Sequence, residues 1–130
     1  MRVIDTSAWI EFLLDSATGR TLAHEMPSRD ASIVPTIVQL ELAKWLAREA
    51  SEELEQAVLA DTMKCTVVAL DTAIALHAAE LAHSHKLATA DAIVYATALA
   101  CDADLLTCDA HFQHLPGVIY IAKAQAKAKE

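Results

Sequence analysis

The sequence predicts an α/β fold, a three-layer α/β/α sandwich built around a mainly parallel sheet. Short apolar runs of strand length alternate along the chain with longer segments patterned at helical spacing. Strands separated by helices are joined by crossovers, and crossovers cover both faces of a parallel sheet. The chain has 130 residues and contains neither an internal repeat nor a Gly/Ser/Pro-rich linker, so one domain is expected. That domain is assigned to residues 1–122, with AKAQAKAKE forming a frayed or loosely helical tail over 123–130.

Taken in order, Val3 to Asp5 ends a first short strand, and Ser7 to Leu14 is a helix, followed by a second helix around Arg20 to Glu25. Ser32 to Pro35 is a strand. Thr36 to Glu49 is a helix whose Val38, Glu41, Leu42, Trp45 and Leu46 follow the spacing of a buried stripe. Ser51 to Lys64 is the next helix, opened by Ser51-Glu52-Glu53-Leu54, a capping box or a near relative of one. Thr66 to Leu70 is a strand, and Asp71 caps a helix running to about His85. Thr89 is expected to cap the helix from Ala90 to Cys101, which is apolar nearly all round and therefore buried. Asp104 to Thr107 and Val118 to Ile121 complete the strands.

Composition removes several classes. Hydrophobic residues make up 55% with two Gly and three Pro, which excludes a disordered or low-complexity chain. No apolar run reaches membrane-span length, and MRVID lacks the basic and apolar regions of a signal peptide, so a cytoplasmic protein without a membrane role is expected. Three cysteines without a C-x-x-C pair argue against a disulfide framework or structural zinc site and fit a reducing compartment. A formal net charge of −8 excludes binding to nucleic acid through a broad basic surface. An RNA substrate would need its charge offset locally, as bound Mg²⁺ or Mn²⁺ would do. Glycines at positions 19 and 117 alone leave no P-loop or dinucleotide fingerprint.

Four acids stand where a solvated surface would not put them. Asp5 follows Val3-Ile4 at the carboxyl end of the first strand, and Asp109 lies just beyond Leu105-Leu106-Thr107-Cys108. Glu41 interrupts an apolar stripe, and Asp91 is the only charged residue between Leu87 and Cys101, in the first turn of its helix. Singly, each has a structural explanation: a turn residue for Asp5 and Asp109, a dipole-favoured first-turn acid for Asp91, a side chain reaching past Trp45 to solvent for Glu41. Together they are harder to explain so, because ligand sites of parallel α/β sheets lie outside the carboxyl ends of the strands at a switch point. Two carboxylates about 4 Å apart repel by roughly 1 kcal/mol in water and about 4 kcal/mol at an effective dielectric of 20. Such groups take up protons or bind a cation. Oxygen donors without a supporting His/Cys set suit Mg²⁺ or Mn²⁺ rather than Zn²⁺. The hydroxyls of Ser7 and Thr107 are near enough in sequence to support Asp5 and Asp109.

These segments resemble the PIN domain, and within it the VapC toxins of toxin–antitoxin pairs. DTSAWIEFL (Asp5 to Leu13) is similar to the family's opening motif, and Glu41 in VQLELA to its central acid. ATADAIVYATAL (Ala88 to Leu99) resembles the family segment carrying Asp91, with Ile93-Val94-Tyr95 where small residues are commoner. LLTCDAHFQHLPGV (Leu105 to Val118) resembles the closing segment with Thr107 and Asp109. The four segments occur in family order over nearly the whole chain. The resemblance implies Mg²⁺- or Mn²⁺-dependent hydrolysis of RNA phosphodiester bonds, with Asp5, Glu41, Asp91 and Asp109 as catalytic, metal-holding acids. It also implies a homodimer and neutralisation by a cognate antitoxin.

The rival enzyme reading is a metal-dependent phosphatase or other phosphotransfer enzyme, but its usual D-x-D would place an aspartate where Ser7 stands. A receiver domain would need an acidic pair near the first strand, which is missing. A PIN-like module that binds without catalysis is the alternative of another class. His83 and His85 suit a helix end, and His111 and His114 read as surface histidines rather than zinc ligands. Lys123, Lys127 and Lys129 read as a solvated terminus, and Trp9 and Trp45 as core or interface residues. With Trp9, residues Ile10, Phe12 and Leu13 make the first helix notably apolar, suited to an antitoxin groove.

Overall fold

The structure is a computed structural model that describes residues 1–124; Lys127 and Lys129, and most of the expected tail, lie outside the described residues. Among the described residues five strands form one sheet: β1 (Arg2–Ile4), β2 (Ser32–Pro35), β3 (Thr66–Val68), β4 (Asp104–Thr107) and β5 (Val118–Tyr120). Their order is β3-β2-β1-β4-β5 and every pairing is parallel. The helices are α1 (Thr6–Leu13), α2 (Ala17–Ala23), α3 (Thr36–Glu49), α4 (Glu52–Thr62), α5 (Thr72–His85) and α6 (Thr89–Ala100). The chain therefore steps outward from β1 to β2 and β3, then returns through α5 and α6 to β4 on the other side of β1. Right-handed crossovers assign α1 to α4 to one face of the sheet and α5 and α6 to the other. The expected α/β sandwich is the observed one.

The three central strands supply the middle of the core. Val3, Ile4, Val34, Leu105 and Leu106 have no exposed surface, as a strand covered on both faces requires. Helix α6 is buried from Ala92 to Ala98 without a break, in keeping with its apolar circumference. All three cysteines are free. Among the described residues no helix is long and apolar enough to cross a membrane.

Element boundaries depart from the sequence reading where side chains decide them. Helix α2 begins at Ala17, earlier than expected, because Ser16 accepts a hydrogen bond from the Gly19 amide at 2.9 Å. Ser51 caps α4 through the Leu54 amide, but Leu54 cannot return the bond, so only half of a capping box forms. Thr89 is not the cap of α6. Ala88 holds that position without a side-chain bond, and the helix starts one residue early. Strand β3 stops at Val68 because its partner β2 ends at Pro35 and turns into α3; the Leu70 amide then bonds to the Thr36 hydroxyl. Asp71 caps α5 as expected, accepting from the Ile74 amide at 2.8 Å.

Candidate metal centre

Strand β1 pairs on one side with β2 and on the other with β4, so the switch point lies beyond the carboxyl ends of β1 and β4. Asp5 leaves β1 there, and Thr107 and Asp109 leave β4. The register Ile4↔Leu106 sets the two exits side by side, and the Asp5 amide donates to the Leu106 carbonyl at 2.9 Å.

Asp5 is only 4% exposed. It occupies the N-cap of α1 but makes no side-chain cap bond. Its Oδ2 instead accepts two hydroxyl protons, from Ser7 and from Thr107, each at 2.8 Å. With both protons so committed, the 3.3 Å approach of the two hydroxyl oxygens is a consequence of sharing one acceptor. The same oxygens accept in turn: Ser7 from the Cys108 amide at 3.0 Å and Thr107 from the Asp109 amide at 2.9 Å. Burial pushes the Asp5 carboxyl above its ordinary range and the Glu41 charge adds to this, while the Ser7 and Thr107 hydroxyls and the Thr6 amide oppose it.

Glu41 is half-buried in the second turn of α3 and accepts a 2.8 Å bond from the Thr6 hydroxyl. Thr6, between Asp5 and Ser7, thereby ties α3 to the exit of β1; nothing in the sequence pattern distinguished it. Asp91 sits in the first turn of α6. Its pKa is raised to about 6, first by burial, then by the charges of Asp109, Asp5 and Glu41, with His111 opposing. Asp109 accepts from the His111 amide at 2.9 Å, capping the 3-10 turn Ala110–Phe112. His111 is a surface residue, as read from sequence, but its Nδ1 stands 3.0 Å from Asp109 Oδ1 and 3.7 Å from Asp91 Oδ2. One donor atom each from Asp91, Asp109 and His111 lie within 4.8 Å of one another, the one such metal-capable grouping found among the described residues. Asp5 and Glu41 join this group through charge, since each raises the Asp91 pKa.

Asp91 and Asp109 thus stand together, and Asp5 and Glu41 are near enough to act on Asp91 through charge; the four come from the ends of β1 and β4 and from α3 and α6. Cys108, also at this end, is buried and its thiol is pushed up to about 11, chiefly by burial, so it stays protonated at neutral pH. Trp9 points its ring into the core at 2% exposure, whereas Trp45 is half-buried and lines a groove of about 250 Å³ with Ile10, Glu41, Lys44 and Arg48.

The arrangement defines a class: a parallel α/β protein with an acidic hollow at its switch point, fit for a hard cation. The PIN domain family model matches residues 2–118, and the chain belongs to the PIN domain family. A search of curated proteins finds no sequence relative. Among solved structures, a toxin–antitoxin complex from Klebsiella pneumoniae contains a similar chain with TM-score 0.82 and 20% identity, over 95% of this chain and 100% of that one. VapC20 of Mycobacterium tuberculosis, described as a sarcin–ricin loop cleaving toxin, matches with TM-score 0.72 and 18% identity, over 91% and 97% of the two chains. VapBC2 from Rickettsia felis, bound to a DNA fragment from its promoter, contains a chain matching with TM-score 0.71 and 14% identity over 95% and 98%. At these identities the likeness is one of fold.

Proposed function

We propose that this chain is a metal-dependent endoribonuclease of the VapC toxin type, in which Asp5, Glu41, Asp91 and Asp109 hold Mg²⁺ or Mn²⁺. The single observation behind this is the gathering of Asp5, Asp91 and Asp109 at the switch point of a PIN-domain sheet, with Glu41 near enough to act on Asp5 and Asp91 through charge. The donor set fits a hard cation. It is carboxylate-rich, and the Asp5 and Asp91 carboxyls are raised first by burial and further by the charges of neighbouring acids. A divalent ion bound there would acidify water for attack on phosphorus and offset charge on the phosphate.

The residues of the chain have distinct parts in this reading. Ser7 and Thr107 fix the Asp5 carboxylate by two hydrogen bonds, and Thr6 fixes Glu41. Beside the acids, Ser7, Asp109, Tyr120 and Lys123 line an open cavity of about 580 Å³. It gives an RNA strand a place next to the acids, with Tyr120 for a base and Lys123 for a phosphate. The groove between α1 and α3, lined by Ile10, Glu41, Lys44, Trp45 and Arg48, is the surface for a cognate antitoxin. Helix α1 keeps Ile10, Phe12 and Leu13 half-buried beside it. Homodimerisation in a cytoplasmic setting completes the proposal.

The deciding experiment is cleavage of total RNA with Mg²⁺ or Mn²⁺ by the wild-type chain, Asp5→Asn and Asp91→Asn, with circular dichroism as the check on folding. Loss of at least about a hundredfold in rate is expected for each variant, as for removal of a principal electrostatic group. Equal cleavage by all three would sink the assignment, and metal binding without any cleavage would make the chain a binding module.

A further inference from the structure

His111 lies outside the four acids, yet the structure holds it against two of them. Phe112, the next residue, is fully buried and anchors the turn. The His111 amide donates to Asp109 Oδ1, so the backbone on both sides of the imidazole is fixed. The ring itself is open to solvent, with a side-chain exposure of 78%. Its Nδ1 nonetheless stands 3.0 Å from Asp109 Oδ1 and 3.7 Å from Asp91 Oδ2.

These separations are short enough for the three groups to share one ion. With bonds of about 2.1 Å, neighbouring ligands of an octahedral cation lie about 3.0 Å apart and opposite ones about 4.2 Å. Both separations from His111 fall within that span. Resting on the reading that these acids hold a divalent ion, we infer that His111 is a third ligand alongside Asp91 and Asp109, and that its imidazole biases the site toward Mn²⁺ against Mg²⁺. The chemistry sets the direction. Mg²⁺ gives up its water reluctantly and is held through one or two carboxylates. Imidazole binds first-row transition ions far better than Mg²⁺. A site of carboxylates alone would discriminate between the two ions only weakly, so the ring supplies the difference.

The test uses the full chain and its His111→Ala and His111→Asp variants, whose folds are safe because the side chain is exposed. Calorimetry measures Mn²⁺ and Mg²⁺ affinities separately, and pulsed electron paramagnetic resonance of bound Mn²⁺ reads nitrogen coupling directly. A ¹⁴N coupling is expected in the wild type and absent in both variants. His111→Ala is expected to weaken Mn²⁺ about tenfold or more and Mg²⁺ by less than about threefold, its ligands being carboxylates and water. His111→Asp is expected to lower the Mn²⁺/Mg²⁺ preference by restoring an all-oxygen set. Mn²⁺ bound without nitrogen coupling in the wild type, or equal loss of both ions in His111→Ala, overturns the role of His111 and leaves the acids standing. Failure of the wild type to bind either ion overturns both.

Discussion

At the scale of single residues, the acids of the hollow work against the stability of the chain when no cation is present. Asp91 shows this most directly, because its carboxyl is raised from 3.8 to about 6. A group with a higher pKa in the folded state binds protons more tightly there than in the unfolded chain. Its contribution to stability is therefore complete below about pH 4 and is lost as pH rises through 6. A shift of about two units corresponds to at most about 3 kcal/mol, and the partial exposure of the side chain lowers that ceiling. With chelator present, Asp91→Asn is expected to be more stable than the wild type above pH 6 and to match it near pH 4. Urea midpoints across that range measure it; an Asn variant less stable at pH 7 would show that Asp91 makes a favourable contact outweighing the repulsion. Asp5 carries the same signature: an N-cap whose carboxylate makes no cap bond has been diverted from a local task to the hollow. This is also where the sequence was most legible. Asp5 and Asp109 end apolar strands, and Asp91 interrupts an apolar helix, so each conflicts with its surroundings in a way a linear pattern reveals. The link from Thr6 to Glu41 and the approach of His111 to Asp91 do not, because each joins residues distant in the chain through side-chain geometry.

At the scale of elements, legibility followed the range of the interaction that sets a boundary. Asp71 caps α5 through an amide three residues away, and that spacing is visible in sequence. The end of β3 is set by Pro35 on the neighbouring strand, which no local pattern contains. Gly19 is a sharper case. In sequence terms it counted only as one of two glycines, at positions 19 and 117, too few and too far apart for a phosphate-binding loop. In the fold it is buried in α2 against α1, and a Cβ there would come 2.1 Å from the Glu11 carbonyl oxygen and 2.8 Å from its carbon. Both are backbone atoms, so no rotamer change relieves the clash and the helices must separate. Gly19→Ala is therefore expected to destabilise by about 2 kcal/mol or more, despite the higher helix propensity of alanine. The readout is a lower denaturant midpoint at unchanged slope. An increase in stability would mean that α2 can slide along α1 without loss.

At the scale of the whole molecule, the sheet separates what holds it from what it presents. At its amino ends, Arg2 on β1 pairs with Asp104 on β4 at 2.8 Å and with Glu25 at 3.1 Å, across the register Arg2↔Asp104. These partly exposed pairs are worth about 1 kcal/mol or less each; their value lies in holding in register the strands whose other ends carry Asp5, Thr107 and Asp109. At the carboxyl ends the charge is unbalanced, in a chain already at −8. A cation that binds the folded hollow, and not the unfolded chain, must stabilise the entire fold by mass action, by about 2.7 kcal/mol at a hundredfold excess over its Kd. For a chain of 130 residues that is a rise in Tm of roughly 10 °C. Thermal unfolding of the chelated wild type should therefore shift upward with added Mn²⁺ and saturate. Asp91→Asn, already relieved of its repulsion, should start higher and gain much less. A NaCl series at equal ionic strength separates specific binding from general screening, because monovalent salt screens the acids without being coordinated by them. A wild-type Tm that responds to NaCl as strongly as to Mn²⁺ would mean that the hollow is merely an acidic surface.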